Sequence, residues 1–280
     1  MVAAGSQAAA PEPTDWLGHP VSCADCPHEE IRAEGRCDRG RICVRDRRAR
    51  RIDRFFAGNP GEAEKYLTHP YFEIRALAAR RASLFLLPAL IDDPEPDVRA
   101  AVAQRLPLTR VIKLREDPDR KVRMVMAQRL EGAALVAMLG DPDYAVRLVA
   151  VRHVPPDVLP GAMQDPDPQV RCEVARRVKP DVLPAMLYDH DPLVRIAVAE
   201  RLEPSQLVAL AADDDLRVRF IVAERGAPAA LPMLRDDPDP EVRQRARDRL
   251  AGLAPPTLVV SAPVVSSVVE PKEGRDGPRP

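Results

Sequence analysis

The chain has 280 residues, a formal net charge of −1, 45% hydrophobic and only 4% aromatic residues. That balance exerts no general pull on nucleic acid or an anionic membrane, and no apolar run approaches the roughly 20 residues that cross a bilayer. Cores must be built from Ala, Val and Leu, and the 31 prolines would signal disorder if most did not fall at a fixed phase.

Residues 1–14 are mostly Ala, Pro, Ser and Gly, and are expected to form a disordered arm. They lack the basic region and apolar segment of a secretory signal, so the expected compartment is the cytoplasm. Residues 15–58 change character, with Trp16, many arginines and four cysteines. Cys23, Cys26, Cys37 and Cys43 follow the pattern C-x2-C-x10-C-x5-C. Four thiols so close together, without a secretion signal, argue for a metal site and against disulfides. Zinc and an iron–sulfur cluster both accept four thiolates, and the spacing does not choose between them. His19 and His28 could ligate, but with four thiols at hand they read as surface histidines. Between Arg32 and Arg54, ten arginines face Glu34, Asp38, Asp46 and Asp53, a local excess of 10 − 4 = +6. Such cations would stabilise a negatively charged cluster or steer an acidic partner.

Residues 59–254 are a repeat. The pairs Ile74-Arg75, Val98-Arg99, Val122-Arg123, Val146-Arg147, Val170-Arg171, Val194-Arg195, Val218-Arg219 and Val242-Arg243 recur every 24 residues. A fixed period of this kind marks a solenoid. Most units open on Asp-Pro, as at Asp93-Pro94 and Asp117-Pro118. In the unit from Asp93 to Glu116 the helix is predicted to start with Asp93 as cap, or one step later with Pro96 in first position. It should end near Leu106, ahead of Pro107. The apolar positions run nearly all round, as burial between two neighbouring units requires. The second half, with Leu87, Val111, Leu135, Leu159, Leu183, Leu207 and Leu231 in phase, suits a short 3₁₀ turn. Nothing alternates at period 2, so strands are not expected.

Arg75, Arg99, Arg123, Arg147, Arg171, Arg195, Arg219 and Arg243 lie in the middle of the apolar arc, where a charge needs a partner. The Asp at each unit's head can supply it, which predicts a structural Asp–Arg ladder. A second set, Arg81, Arg105, Arg129, Arg177, Arg201, Arg225 and Arg249, with His153 in the remaining slot, reads as solvated or bridging the short helices. Cys172 shares the phase of Ala100 and Ile196 and reads as a small core residue. Residues 255–280, including the β-prone run Thr257–Val269, are expected to be a disordered tail.

The motif Asp-Pro-Asp-Pro-x-Val-Arg at Asp237–Arg243, with Val-Ala-x-Arg-Leu at Val102–Leu106, resembles the leucine-rich repeat variant (LRV) family. The resemblance implies an all-α, right-handed solenoid of about eight α/3₁₀ repeats behind a small four-cysteine module. It also implies that Cys23, Cys26, Cys37 and Cys43 ligate a 4Fe-4S cluster, zinc being the alternative, in a protein associated with nitrogen-fixation gene sets. No Gly-rich phosphate loop, His-Glu-x-x-His motif or nucleophile elbow is present, so no enzyme is expected. The expected role is a protein-binding scaffold with a protein partner and no membrane. A nucleic-acid-binding solenoid with structural zinc is the alternative.

Overall fold

The structure, a computed structural model, describes residues 12–252. The expected tail over 255–280, and the expected arm except for Glu12–Thr14, lie outside the described residues. By compactness the chain divides into Met1–Leu202 and Glu203–Pro280, and each unit is described by itself. Among the described residues there is no strand, only the isolated bridges Thr14–Pro20 and Asp38–Ile42.

The first unit holds the cysteine module and six repeat helices, Phe72–Ala79, Pro96–Arg105, Arg120–Arg129, Tyr144–His153, Pro168–Arg177 and Pro192–Ala199, each packed on the next. The second unit holds Leu216–Arg225 and Pro240–Leu250, packed on each other. Short 3₁₀ turns separate the main helices, as at Leu87–Leu90, Leu159–Ala162 and Leu183–Met186. In the units where Ile112 and Val136 replace proline, a short α-turn precedes the 3₁₀ turn, at Leu108–Val111 and Gly132–Ala137.

The later of the two predicted helix starts is the one adopted. From Asp119 onward the cap is the Asp two places after the first Asp of the head; Glu95, at the same place, makes no side-chain cap bond. Asp119 Oδ1 accepts from Lys121 N at 2.7 Å, and Asp143, Asp167, Asp191 and Asp215 each accept from the residue two further on at 2.8 Å. Each such cap contributes about 1 kcal/mol. Every repeat places its pre-arginine aliphatic at the centre, with Ile74, Val98, Val122, Val146, Val170 and Val194 at most 1% exposed. Cys172 is buried beside them, as expected of a small core residue.

The first Asp of each head does a different job. Arg147 donates from Nε to Asp165 Oδ2 at 2.7 Å and from Nη2 to Asp165 Oδ1 at 2.8 Å. Its Nη1 reaches back to the Asp141 carbonyl at 2.9 Å. Asp165 Oδ1 also accepts from Asp167 N at 2.8 Å, closing the turn that leads into the next helix. The same fork joins Arg75 to Asp93, Arg99 to Asp117, Arg123 to Asp141 and Arg171 to Asp189 in the first unit, and Arg219 to Asp237 in the second. Six rungs of the predicted ladder are therefore present, each of these Arg spanning to the head of the following repeat, while Arg243 donates to the Asp237 and Pro238 carbonyls of its own head.

The second arginine set departs from expectation. Arg177 Nη2 donates to the Val154 carbonyl at 3.0 Å, while Arg201 donates to the Ala175 and Val178 carbonyls at 2.6 and 2.8 Å. Arg105 donates to Ala79 O at 2.9 Å, and Arg249 to Ala223 O at 3.0 Å. These side chains satisfy carbonyls left unpaired at the C-terminal end of the preceding main helix; a cation there also complements the helix dipole. His153 bonds to Val149 O of its own helix.

Burial alone would raise the Asp117 carboxyl; the Arg99 guanidinium and the Asp119 N–H override it and leave it below the usual carboxylate range. Asp189 and Asp237 are depressed in the same way by Arg171 and Arg219. A depressed carboxyl contributes stability that is complete above its unfolded pKa of about 4 and is lost as pH falls below it. Helix content by circular dichroism should therefore hold at pH 5 and collapse only below about pH 4; loss between pH 5 and 7 would contradict the ladder. Asp165→Ala leaves Arg147, whose side chain is 10% exposed, without its carboxylate. Urea denaturation should show a loss of about 3–5 kcal/mol; a change within about 0.5 kcal/mol, the range of ordinary surface substitutions, would show the fork to be dispensable.

Candidate metal centre

The cysteine module is built by turns. Cys26 N donates to Cys23 O at 3.4 Å, so the two-residue spacer closes one tight turn. The five-residue spacer closes another: Asp38 and Ile42 exchange N–H···O bonds, both 2.8 Å, across the loop Arg39-Gly40-Arg41. Gly40 takes φ 86°, a conformation glycine adopts without strain. This hairpin flanks itself with Cys37 and Cys43. The wide second spacing, which fits a zinc knuckle poorly, is therefore the width of a small hairpin.

Cys37 and Cys43 are buried, Cys23 and Cys26 half-buried. Burial, then the nearby Cys43, Cys26 and Cys23, push the Cys37 thiol up to about 12. Burial also raises Cys43, opposed by backbone N–H groups of Arg45 and Asp46 that bond its sulfur. Mutually repelling thiols in a desolvated site do not ionise on their own. A cationic centre taking four thiolates reverses that cost, and the N–H groups at Cys43 already favour its thiolate. The donor set fits such a centre. Among the described residues, no three Cys, His, Asp or Glu side chains converge closely enough to hold a single metal ion.

The surrounding shell is aromatic, unlike the repeats. The Ala49–Gly58 helix buries Ile52, Phe55 and Phe56 completely. Asn59 ties that helix to the cysteine loops, donating to Phe55 O at 2.9 Å and Arg36 O at 3.1 Å. Asp46, 1% exposed, accepts from Arg48 N and Arg51 Nη1. Arg45 donates to Ser22 O at 3.2 Å and braces the Cys23–Cys26 turn.

His28 is not the surface residue expected of it. It is 5% exposed, lies 4.9 Å from the Phe55 ring, and shares a 2.5 Å hydrogen bond with Tyr66 Oη. Burial lowers its pKa, with Glu62 opposing. Burial and the neighbouring Cys26 and Glu62 raise the Tyr66 phenol. A histidine two residues after a cysteine carries no pattern that announces burial, which is why the sequence did not reveal it. His19 is exposed, as expected.

A solved leucine-rich repeat variant, described as having a novel repetitive protein structural motif, is 41% identical to this chain with a TM-score of 0.73. The similarity covers 82% of this chain and 99% of that one. The chain belongs to the leucine-rich repeat variant family. Residues 13–65 match the family model described as LRV protein FeS4 cluster, and form the iron–sulfur domain of this LRV protein. An uncharacterized 27.7 kDa protein in the nifB 3' region of Rhodobacter capsulatus is 48% identical over 86 residues, 31% of this chain. That match spans 35% of the relative's own length. No helix among the described residues is long and apolar enough to cross a membrane.

Proposed function

We propose that this LRV protein is a non-catalytic iron–sulfur protein in which Cys23, Cys26, Cys37 and Cys43 hold one 4Fe-4S cluster and the repeats offer a protein-binding surface. The observation that carries this reading is the grouping of four thiols, two buried and two half-buried, in a domain matched by an iron–sulfur family model. When bound, the cluster supplies one-electron chemistry whose potential depends on hydrogen bonds to sulfur and on exposure. The chain's part is to brace the Cys23–Cys26 turn through Arg45, aim two N–H groups at Cys43, and exclude water with Phe55, Phe56 and Tyr66. Both the aromatic wall and the N–H groups act on the potential.

The repeats support a scaffold role. Their main helices line a groove of about 940 Å³ whose apolar floor includes Ala76, Leu77 and Ala100, edged by Glu73, Asp97 and Arg80. Extended grooves of this kind suit protein segments. The relative in the nifB 3' region supports a role alongside nitrogen fixation, and the cytoplasm is the compartment that suits thiolate ligation. The nucleic-acid alternative counted on a free arginine strip, and Arg105, Arg177 and Arg201 are engaged by helix carbonyls.

Anaerobic purification with iron, sulfide and zinc quantitation tests this. The expected content is about four irons and four sulfides per chain, falling sharply in Cys43→Ala. Stoichiometric zinc without iron, or a full cluster in Cys43→Ala, would overturn it.

A further inference from the structure

One face of the iron–sulfur domain has no part in holding the thiols. Trp16 is 39% exposed and Leu17 58% exposed. Trp16 stacks on Tyr71 with ring centroids 6.0 Å apart and planes 9° from parallel. Arg47 is tied to this face through its backbone: its N–H donates to Thr14 O at 3.0 Å, and its carbonyl accepts from Tyr71 Oη at 3.5 Å. Arg48 and Arg50 follow, both exposed, and Arg54 lies one turn beyond Arg50 on the outer side of the Ala49–Gly58 helix.

The carboxylates of this segment are already engaged. Glu34 pairs with Arg36, Asp38 with Arg41, Asp46 with Arg51 and Asp53 with Arg81. Arg47, Arg48, Arg50 and Arg54 form no ion pair among the described residues. Unneutralised arginines beside an exposed Trp and Leu and a half-buried Tyr are residue types that anchor protein interfaces.

We propose that the face carrying Trp16, Leu17 and Tyr71, with Arg47, Arg48 and Arg50 beside it, docks a protein with an acidic surface. The choice of such a partner rests on the iron–sulfur reading, since a carrier that exchanges electrons with the centre must dock close to it. Charge favours an acidic protein: Arg47, Arg48, Arg50 and Arg54 lack ion-pair partners among the described residues, against the single carboxylate of Glu73, which accepts from Tyr71 Oη at 2.7 Å. A nucleic acid is a poorer match. The whole chain carries a net charge of −1, and one face of Trp16 is taken by Tyr71.

Trp16 is the only tryptophan in the chain, so its emission reports docking directly. The holoprotein is titrated with a purified, tryptophan-free acidic ferredoxin, and in parallel with single-stranded and duplex DNA by calorimetry. Saturable quenching by the ferredoxin that weakens with added salt is expected. Arg47→Glu/Arg48→Glu and, separately, Arg50→Glu/Arg54→Glu should each weaken it about tenfold or more, with circular dichroism unchanged, while Arg120→Glu in a repeat has no effect. Absence of binding, or an affinity unchanged from the parent protein in both double variants, overturns the proposal; DNA binding that these variants abolish assigns the face to nucleic acid instead. Iron and sulfide measured on the same samples separate the two readings. Docking without iron would sink the cluster and leave the face standing, and iron without docking would do the reverse.

Discussion

A guanidinium and a carboxylate 18 residues apart set the geometry of six of the repeats. The fork explains why the period does not slip: each Arg must meet the Asp at the head of the following repeat while its third nitrogen returns to the head of its own. A one-residue insertion would misalign both. Removing two charges from water is costly, and what offsets it is that every oxygen and nitrogen in the fork has work to do. The Asp also closes the turn that delivers the next helix, so one side chain joins inter-repeat packing to local chain direction. Stability in such a stack comes from nearest-neighbour contacts, and this contact recurs within both units.

The second arginine series answers a problem created by the first half of each unit. Main helices of eight to eleven residues end abruptly, leaving carbonyls with no continuation of the helix to use them. An arginine from the next helix covers them. The repeats thus use arginine twice, once for a carboxylate and once for backbone, and neither use leaves a free cationic strip. Free arginines gather instead on the iron–sulfur domain, where the architecture changes. There the core is Phe55, Phe56, Tyr66 and His28 in place of Ala and Val, because short loops without repeating neighbours need large side chains to exclude water.

Periodicity made the repeats legible before any coordinates: the all-helical class, the short 3₁₀ turns and the ladder all follow from which residues share a phase. The choice between two helix starts did not, because Asp93 and Glu95 are both acidic residues followed by proline, and only the backbone separates a turn former from a cap. The role of the second arginine set is hidden in the sequence because its acceptors are main-chain atoms 23 and 26 residues away, which no side-chain pattern displays. In the domain that carries the thiols, the close spacing of the cysteines was legible as a candidate metal set. The hairpin that joins Cys37 to Cys43 was foreshadowed only by Gly40, and His28 and the Trp16–Tyr71 stack depend on contacts between distant stretches of chain.

The function proposed for this LRV protein rests on what its four thiols hold. Mössbauer spectroscopy of protein grown on ⁵⁷Fe and isolated without air interrogates that directly, because it reports the valence and coupling of every iron. The account predicts one species, valence-delocalised iron in all-sulfur tetrahedral sites with no net spin, as an oxidised four-iron cluster gives. A spectrum of isolated ferric or ferrous ions, or no iron signal from a folded protein, would contradict it.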